Sequence, residues 1–214
     1  MKRLAAAVVV AGSIVLMGVV PASAHRLDEY LQAMRVDVRP DGIVVEIDLT
    51  PGAAIAPGVL AALDSDSNGT IESAERDAYV TGVIRSLDVT LDGRQLALAV
   101  ASRDFPSPDE LRAGAGVVRL VLEAGFVQSS GSHRLVADNG YRRDVGAYLA
   151  NALRPGSDTI TIAAQRRDPR QQTLTIDYVV GRPLLTRASW TAAAALLIAF
   201  SFYRRQSSVG VTCK

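Results

Sequence analysis

A mainly β body with one α-helical insertion is the fold class this sequence predicts, and three observations predict it. Through the middle of the chain, apolar residues alternate with polar ones at period two, the signature of half-buried strands. One stretch, residues 56–87, switches to helical spacing around a polar loop. Two longer apolar runs bracket the body, one at each end of the 214 residues. Together they predict an antiparallel β-sandwich carrying a helix-loop-helix insertion, followed by one C-terminal transmembrane helix. The composition, 49% hydrophobic and 21% charged, suits a packed core. A net charge of +1 supplies no global field for nucleic acid.

The elements follow in order. Residues 1–24 pair Lys2 and Arg3 with an apolar stretch from Leu4 to Val20 and the exit Pro21-Ala22-Ser23-Ala24, the layout of a secretory signal peptide. The exported domain is then expected over 25–182. Met34, Val36 and Val38, then Ile43, Val45, Ile47 and Leu49, alternate on either side of Pro40-Asp41-Gly42 and predict a β-hairpin. Val89 to Leu91 and Arg94 to Leu98 predict another around Asp92-Gly93, a two-residue turn that favours positive φ. Val117 to Leu122 reads as a strand, and Thr159 to Ala163 as one paired with Thr173 to Val179. Helix is expected over Pro57 to Leu63, Ser73 to Leu87 and a shorter piece from Asp144 to Leu153, and loop over Phe105 to Pro108.

Residues 183–203 predict a membrane anchor. The uncharged stretch Ala188 to Tyr203 would span about 24 Å as a helix, a little short of a roughly 30 Å hydrocarbon core. Arg187 can snorkel, and Trp190 and Tyr203 can sit at opposite interfaces. Arg204-Arg205 then places the tail, 204–214, in the cytoplasm. The expected location is the periplasmic or extracellular face, tethered to the cytoplasmic membrane. The single thiol, Cys213, leaves the fold without an intrachain disulfide.

The polar loop inside the insertion is DSDSNGTIESAE. Against the calcium-loop template D-x-[DN]-x-[DN]-G-x5-E, Asp64 stands at position 1, Asp66 at 3, Asn68 at 5, Gly69 at 6 and Glu75 at 12. Alternate side chains of a tight loop can turn their oxygens inward together, and Ca²⁺ seeks six to eight oxygens. Gly69 permits the sharp bend, Thr70 offers its backbone carbonyl, Glu72 acts through water, and Glu75 reaches back from the exiting helix with both oxygens. Without a cation, the carboxylates repel. Mg²⁺ fits less well because it demands compact octahedral geometry. On this loop and its flanking apolar stripes, residues 56–87 resemble the EF-hand family. The resemblance implies calcium as the cofactor, bound by Asp64, Asp66, Asn68, Thr70, Glu72 and Glu75. The sequence departs from the family in one respect: EF-hands usually pair through a β contact at position 8, here Ile71, and no second loop of this type is present.

The opening Ala24-His25-Arg26-Leu27-Asp28-Glu29-Tyr30-Leu31-Gln32, together with Asp144 to Leu153, resembles exported bacterial proteins of unassigned role. Some of these are similar to extracytoplasmic parts of nickel permeases of the hydrogenase and urease accessory type. That likeness implies a membrane transporter or another exported protein as partner. It keeps open a second reading, an accessory module for nickel or copper transport using His25, with His133 the other imidazole. Arginines at 142, 143, 154, 166, 167 and 170 lack interleaved aromatics and read as solvated surface, with no nucleic-acid partner. Ser132-His133 near Asp138 hints at a hydrolase, but there is no G-x-S-x-G elbow, phosphate loop, zinc spacing or dinucleotide fingerprint. The expectation is a non-enzymatic protein.

Overall fold

The computed structural model describes residues 27–181. Two five-stranded sheets share one hydrophobic core. The strands are β1 (Tyr30–Arg39), β2 (Gly42–Pro51), β3 (Leu87–Leu91), β4 (Arg94–Gln95), β5 (Ala99–Asp104), β6 (Val118–Gly125), β7 (Gly131–Asn139), β8 (Gly146–Ala152), β9 (Ile160–Arg167) and β10 (Thr173–Val180). The helices are α1 (Ala56–Leu63), α2 (Ser73–Arg85) and α3 (Pro108–Arg112). One sheet runs β5-β6-β2-β1-β8 and the other β4-β3-β7-β10-β9. The expected signal peptide, His25, and the expected membrane anchor and tail lie outside the described residues. Among those described, no helix is long and apolar enough to cross a membrane.

The period-two pattern acts as expected in β1 and β2. Tyr30, Gln32, Met34, Val36 and Val38 point inward from β1, and Ile43, Val45, Ile47 and Leu49 from β2. Leu135 and Ala137 of β7 with Leu174, Ile176 and Tyr178 of β10 close the core from the facing sheet. Burying such side chains contributes roughly 1.5–3 kcal/mol each. One polar link crosses the core: buried Asn139 on β7 donates Nδ2 to Oε1 of buried Gln32 on β1 at 2.9 Å. Gln32 Nε2 in turn donates to the Tyr141 carbonyl at 2.8 Å, and Tyr141 N donates to Asn139 Oδ1 at 3.1 Å. Each amide is therefore satisfied, which a buried polar group requires.

Four expectations need correction. The stretch Asp144 to Leu153 contains a strand, β8, and not a helix. Its alanines and leucine favour helix locally, but Tyr148 and Ala150 are buried while Leu149 and Asn151 are exposed. That alternation is satisfied by pairing with β1 from Tyr30↔Gly146 to Val36↔Ala152. The pairing is parallel, so the sandwich is not purely antiparallel. The second hairpin is shorter than expected: β4 ends at Gln95, beyond which Leu96 N still donates to the Val89 carbonyl at 2.8 Å, and Leu96 and Leu98 pack against the core. The expected loop ends early, because Pro108 opens α3 behind a Ser107/Glu110 capping box. The first hairpin, the β9/β10 pair and both insertion helices form as expected.

The topology gives the sandwich two distinct ends. The insertion joins β2 of one sheet to β3 of the other, so it is the crossover at one end. The β1–β2 turn, the β3–β4 turn and the β6-to-β7 connection, residues 126–130, gather at the other. There Phe126 N donates to the Asp41 carbonyl at 2.9 Å, and Gln128 N to the Pro40 carbonyl at 3.1 Å.

Candidate metal centre

Two short helices hold the acidic loop. Pro57 sets the first turn of α1, and Val59, Leu60 and Leu63 anchor it in the core. In α2, Tyr79, Val80 and Val83 do the same. Ile71, in the middle of the loop, is 5% exposed and packs into the sandwich core. Position 8 of the loop is thus buried within the molecule's own core. Tyr79 reaches furthest: its ring meets those of Tyr141 and Phe105 edge-on at 5.9 and 6.0 Å, and its hydroxyl bonds to that of Tyr30. Burial pushes the Tyr30 and Tyr79 phenols well above their ordinary range, so the pair stays neutral.

The loop closes on its carboxylates. Ser67 and Gly69 take positive φ of 60° and 84°, which turns successive backbone N–H groups inward. Asp64 accepts from the Asn68 and Gly69 backbones, each at 2.9 Å, and Asp66 Oδ1 accepts from Asn68 N at 3.1 Å. Glu75, in the first turn of α2, reaches back across the loop. Its Oε1 accepts from Ser65 N at 2.6 Å and Ser65 Oγ at 2.9 Å, and its Oε2 from Glu72 N at 3.0 Å. These donors, the Glu72 N–H foremost, hold its carboxyl below the usual range. Ligand oxygens of Asp64, Asp66 and Glu75 all lie within 4.8 Å of one another.

Of the six residues expected to bind calcium, the structure therefore brings three carboxylates together. Asn68 is arranged differently: its Nδ2 donates to Asp66 Oδ2 at 2.9 Å, and its Oδ1 accepts from Thr70 N at 2.8 Å. The Glu72 carboxylate belongs to a reciprocal capping box with Glu75 at the start of α2. The donor set is all oxygen, with no imidazole or thiolate, which suits a hard divalent cation such as Ca²⁺ more than nickel or copper.

A second polar cluster stands at the opposite end. Asp92 and Gly93 form the β3–β4 turn at φ 50° and 78°, as the sequence predicts. Asp92 Oδ1 accepts from Arg134 N at 2.8 Å, and Oδ2 lies 2.8 Å from His133 Nδ1. His133 Nε2 lies 2.9 Å from the Ser129 carbonyl and 3.3 Å from Ser129 Oγ. Although Ser129, His133 and Asp92 echo a hydrolase triad, Nε2 donates to the carbonyl and is thereby spent as an acceptor for a serine proton. With an acceptor facing each ring nitrogen, the imidazolium is the form that satisfies both. The Asp92 hydrogen bond accordingly raises the His133 pKa. Ser132 and Asp138 take no part; Asp138 accepts from Arg143 Nη2 at 2.9 Å and Thr173 Oγ1 at 2.6 Å. The sequence carries no linear signal for this cluster, since Asp92 and His133 are 41 residues apart.

Of the six arginines at 142, 143, 154, 166, 167 and 170, three hold carboxylates: Arg142 pairs with Asp144, Arg143 with Asp138, and Arg166, together with Arg134, with Asp177. Compared with known proteins, the chain matches no family model, no curated protein and no solved structure.

Proposed function

We propose that this chain is a calcium-binding protein, exported and tethered to the membrane, in which the loop from Asp64 to Glu75 takes up one Ca²⁺. The observation that carries the reading is the convergence of Asp64, Asp66 and Glu75 oxygens within 4.8 Å of one another, on a loop matching every specified position of the calcium template. Asn68, the Thr70 carbonyl and, through water, Glu72 complete the donor set. The ion supplies positive charge where carboxylates crowd, and so orders the crossover between the two sheets. Its role is structural: Ile71 and Tyr79 fix the insertion to the core, so the loop position used for pairing between hands is already buried. The protein works by binding and not by catalysis.

The test is calorimetric titration of the full chain, stripped by a chelator, with Ca²⁺, Mg²⁺ and Ni²⁺. Saturable Ca²⁺ binding is expected, with an affinity of the order of 10⁻⁴ to 10⁻³ M, the range of extracellular modules. Asp64→Ala combined with Glu75→Gln should abolish it. Absence of uptake at millimolar calcium, or uptake unchanged in the double variant, refutes the assignment. Nickel binding with no calcium response would favour the transport-accessory reading.

A further inference from the structure

The end of the sandwich opposite the acidic loop encloses a cavity of about 340 Å³, within the size range of small-ligand sites. Its floor is the edge of the core itself: Leu91, Leu96 and Phe126 line it and pack against the buried cluster. Val127, 90% exposed, continues the apolar wall into solvent. A lone exposed valine is ordinary on a protein surface, but this one adjoins three partly buried apolar side chains around a hollow.

Two cationic residues, Arg94 and His133, line the same hollow. They differ in what they have left to give. His133 directs its nitrogens at Asp92 and at the Ser129 carbonyl, so it neutralises the one carboxylate in the cavity wall. Arg94 has no carboxylate partner among the described residues. Its planar guanidinium retains the donor fork that recognises carboxylates bidentately. An unpaired cation above an apolar floor, with the neighbouring acid already matched, is complementary to an anion attached to an aliphatic chain.

We propose that this cavity binds a small amphiphilic monocarboxylate, its carboxylate on Arg94 and its aliphatic chain against Leu91, Leu96, Phe126 and Val127. The anionic head distinguishes the ligand from a neutral apolar molecule, and the tail distinguishes it from a simple anion. The site is independent of the calcium loop and stands whether or not that loop takes up metal.

Titration of the full chain with octanoate, octan-1-ol and acetate tests the proposal. Octanoate is expected to bind saturably, octan-1-ol at least about tenfold more weakly, and acetate without saturation. Arg94→Gln should weaken octanoate about tenfold or more while leaving octan-1-ol unchanged, since a charge-assisted pair is lost. Val127→Asp, at a site exposed enough to leave the fold intact, should weaken octanoate by opposing both its charge and its tail. Failure of octanoate to bind at millimolar concentration overturns the proposal. Equal affinity for octan-1-ol, or octanoate binding unmoved by both replacements, overturns it equally.

Discussion

The two ends of the sandwich solve opposite electrostatic problems. At the crossover, Asp64, Asp66 and Glu75 crowd negative charge into a loop whose own N–H groups soften the repulsion. In the far-end cluster one carboxylate, Asp92, is matched by one imidazole and one backbone N–H. Each end is tied to the core by a buried tyrosine. Tyr79 meets Tyr141 edge-on and bonds to Tyr30, while the ring of Tyr178 lies 5.4 Å from that of His133 and its hydroxyl donates to Gln128 Oε1 at 2.9 Å. The difference lies in what remains unmet. The acidic end is short of positive charge and should answer to a divalent cation; at the far end the Asp92–His133 pair is balanced internally and should answer to pH, while Arg94 is left for an anion.

The largest effect expected is from severing the tie at the acidic end. Tyr79→Ala removes a buried aromatic that bridges α2 to β1 and to the segment before β8, so a loss of about 3–5 kcal/mol is expected in denaturant unfolding. Tyr79→Phe keeps the rings and deletes the hydroxyl with its hydrogen bonding to Tyr30 and Tyr141, at a cost of about 1 kcal/mol. If both replacements cost the same, the ring packing is not what fastens the insertion.

Next in size is the response to calcium. At a hundredfold excess over its dissociation constant, a ligand that binds only the folded state adds about 2.7 kcal/mol. Hydrogen exchange should show the gain concentrated in residues 56–87, with the amides around Asp92 and His133 little changed. Equal slowing at both ends would break the contrast, and slowing at neither would remove the calcium reading altogether.

The same contrast explains what could be read from the chain alone. The acidic loop is contiguous, and each of its template positions has a local reason, so its existence and its flanking helices were legible. The first hairpin was legible too, because Met34 to Val38 and Ile43 to Leu49 alternate cleanly around Pro40-Asp41-Gly42. What escaped depends on distant partners. β8 is a strand because β1 lies beside it, against the helical preference of Ala147, Leu149 and Ala150. The amide of Asn68 turns to Asp66 and Thr70, a choice among local hydrogen bonds that spacing does not specify. Asp92 meets His133 only through the pairing of β3 with β7, where Leu91 faces Leu135. One missed element did carry a local sign: Ser107-Pro108-Asp109-Glu110 has a capping residue, a proline at the first helical position and a glutamate three residues on, the start of α3.

The smallest effect expected is the pH response of the far end, and its sign follows from two opposed shifts. The charged and titratable groups facing His133 are Asp92 from the β3–β4 turn, Tyr178 from β10 and Arg94 across the cavity. Hydrogen bonding to Asp92 raises the His133 pKa above its ordinary value of about 6.5. Its contribution to stability is therefore complete below about pH 6.5 and is lost as pH rises through the folded-state value. The Asp92 carboxyl is lowered, first by the Arg134 N–H and then by His133, so its contribution is kept above the ordinary aspartate range and lost only in stronger acid. The stability difference between the native chain and His133→Gln should accordingly be largest between about pH 4 and 6.5 and shrink towards alkaline pH. With Asp92 half exposed, the difference should stay below about 1 kcal/mol. A difference that grows with rising pH would mean that His133 is held neutral, with one of its two contacts not a hydrogen bond. The cavity would then lose the cation that balances Asp92, and Arg94 would face an unmatched acid where the amphiphile's carboxylate is expected to lie.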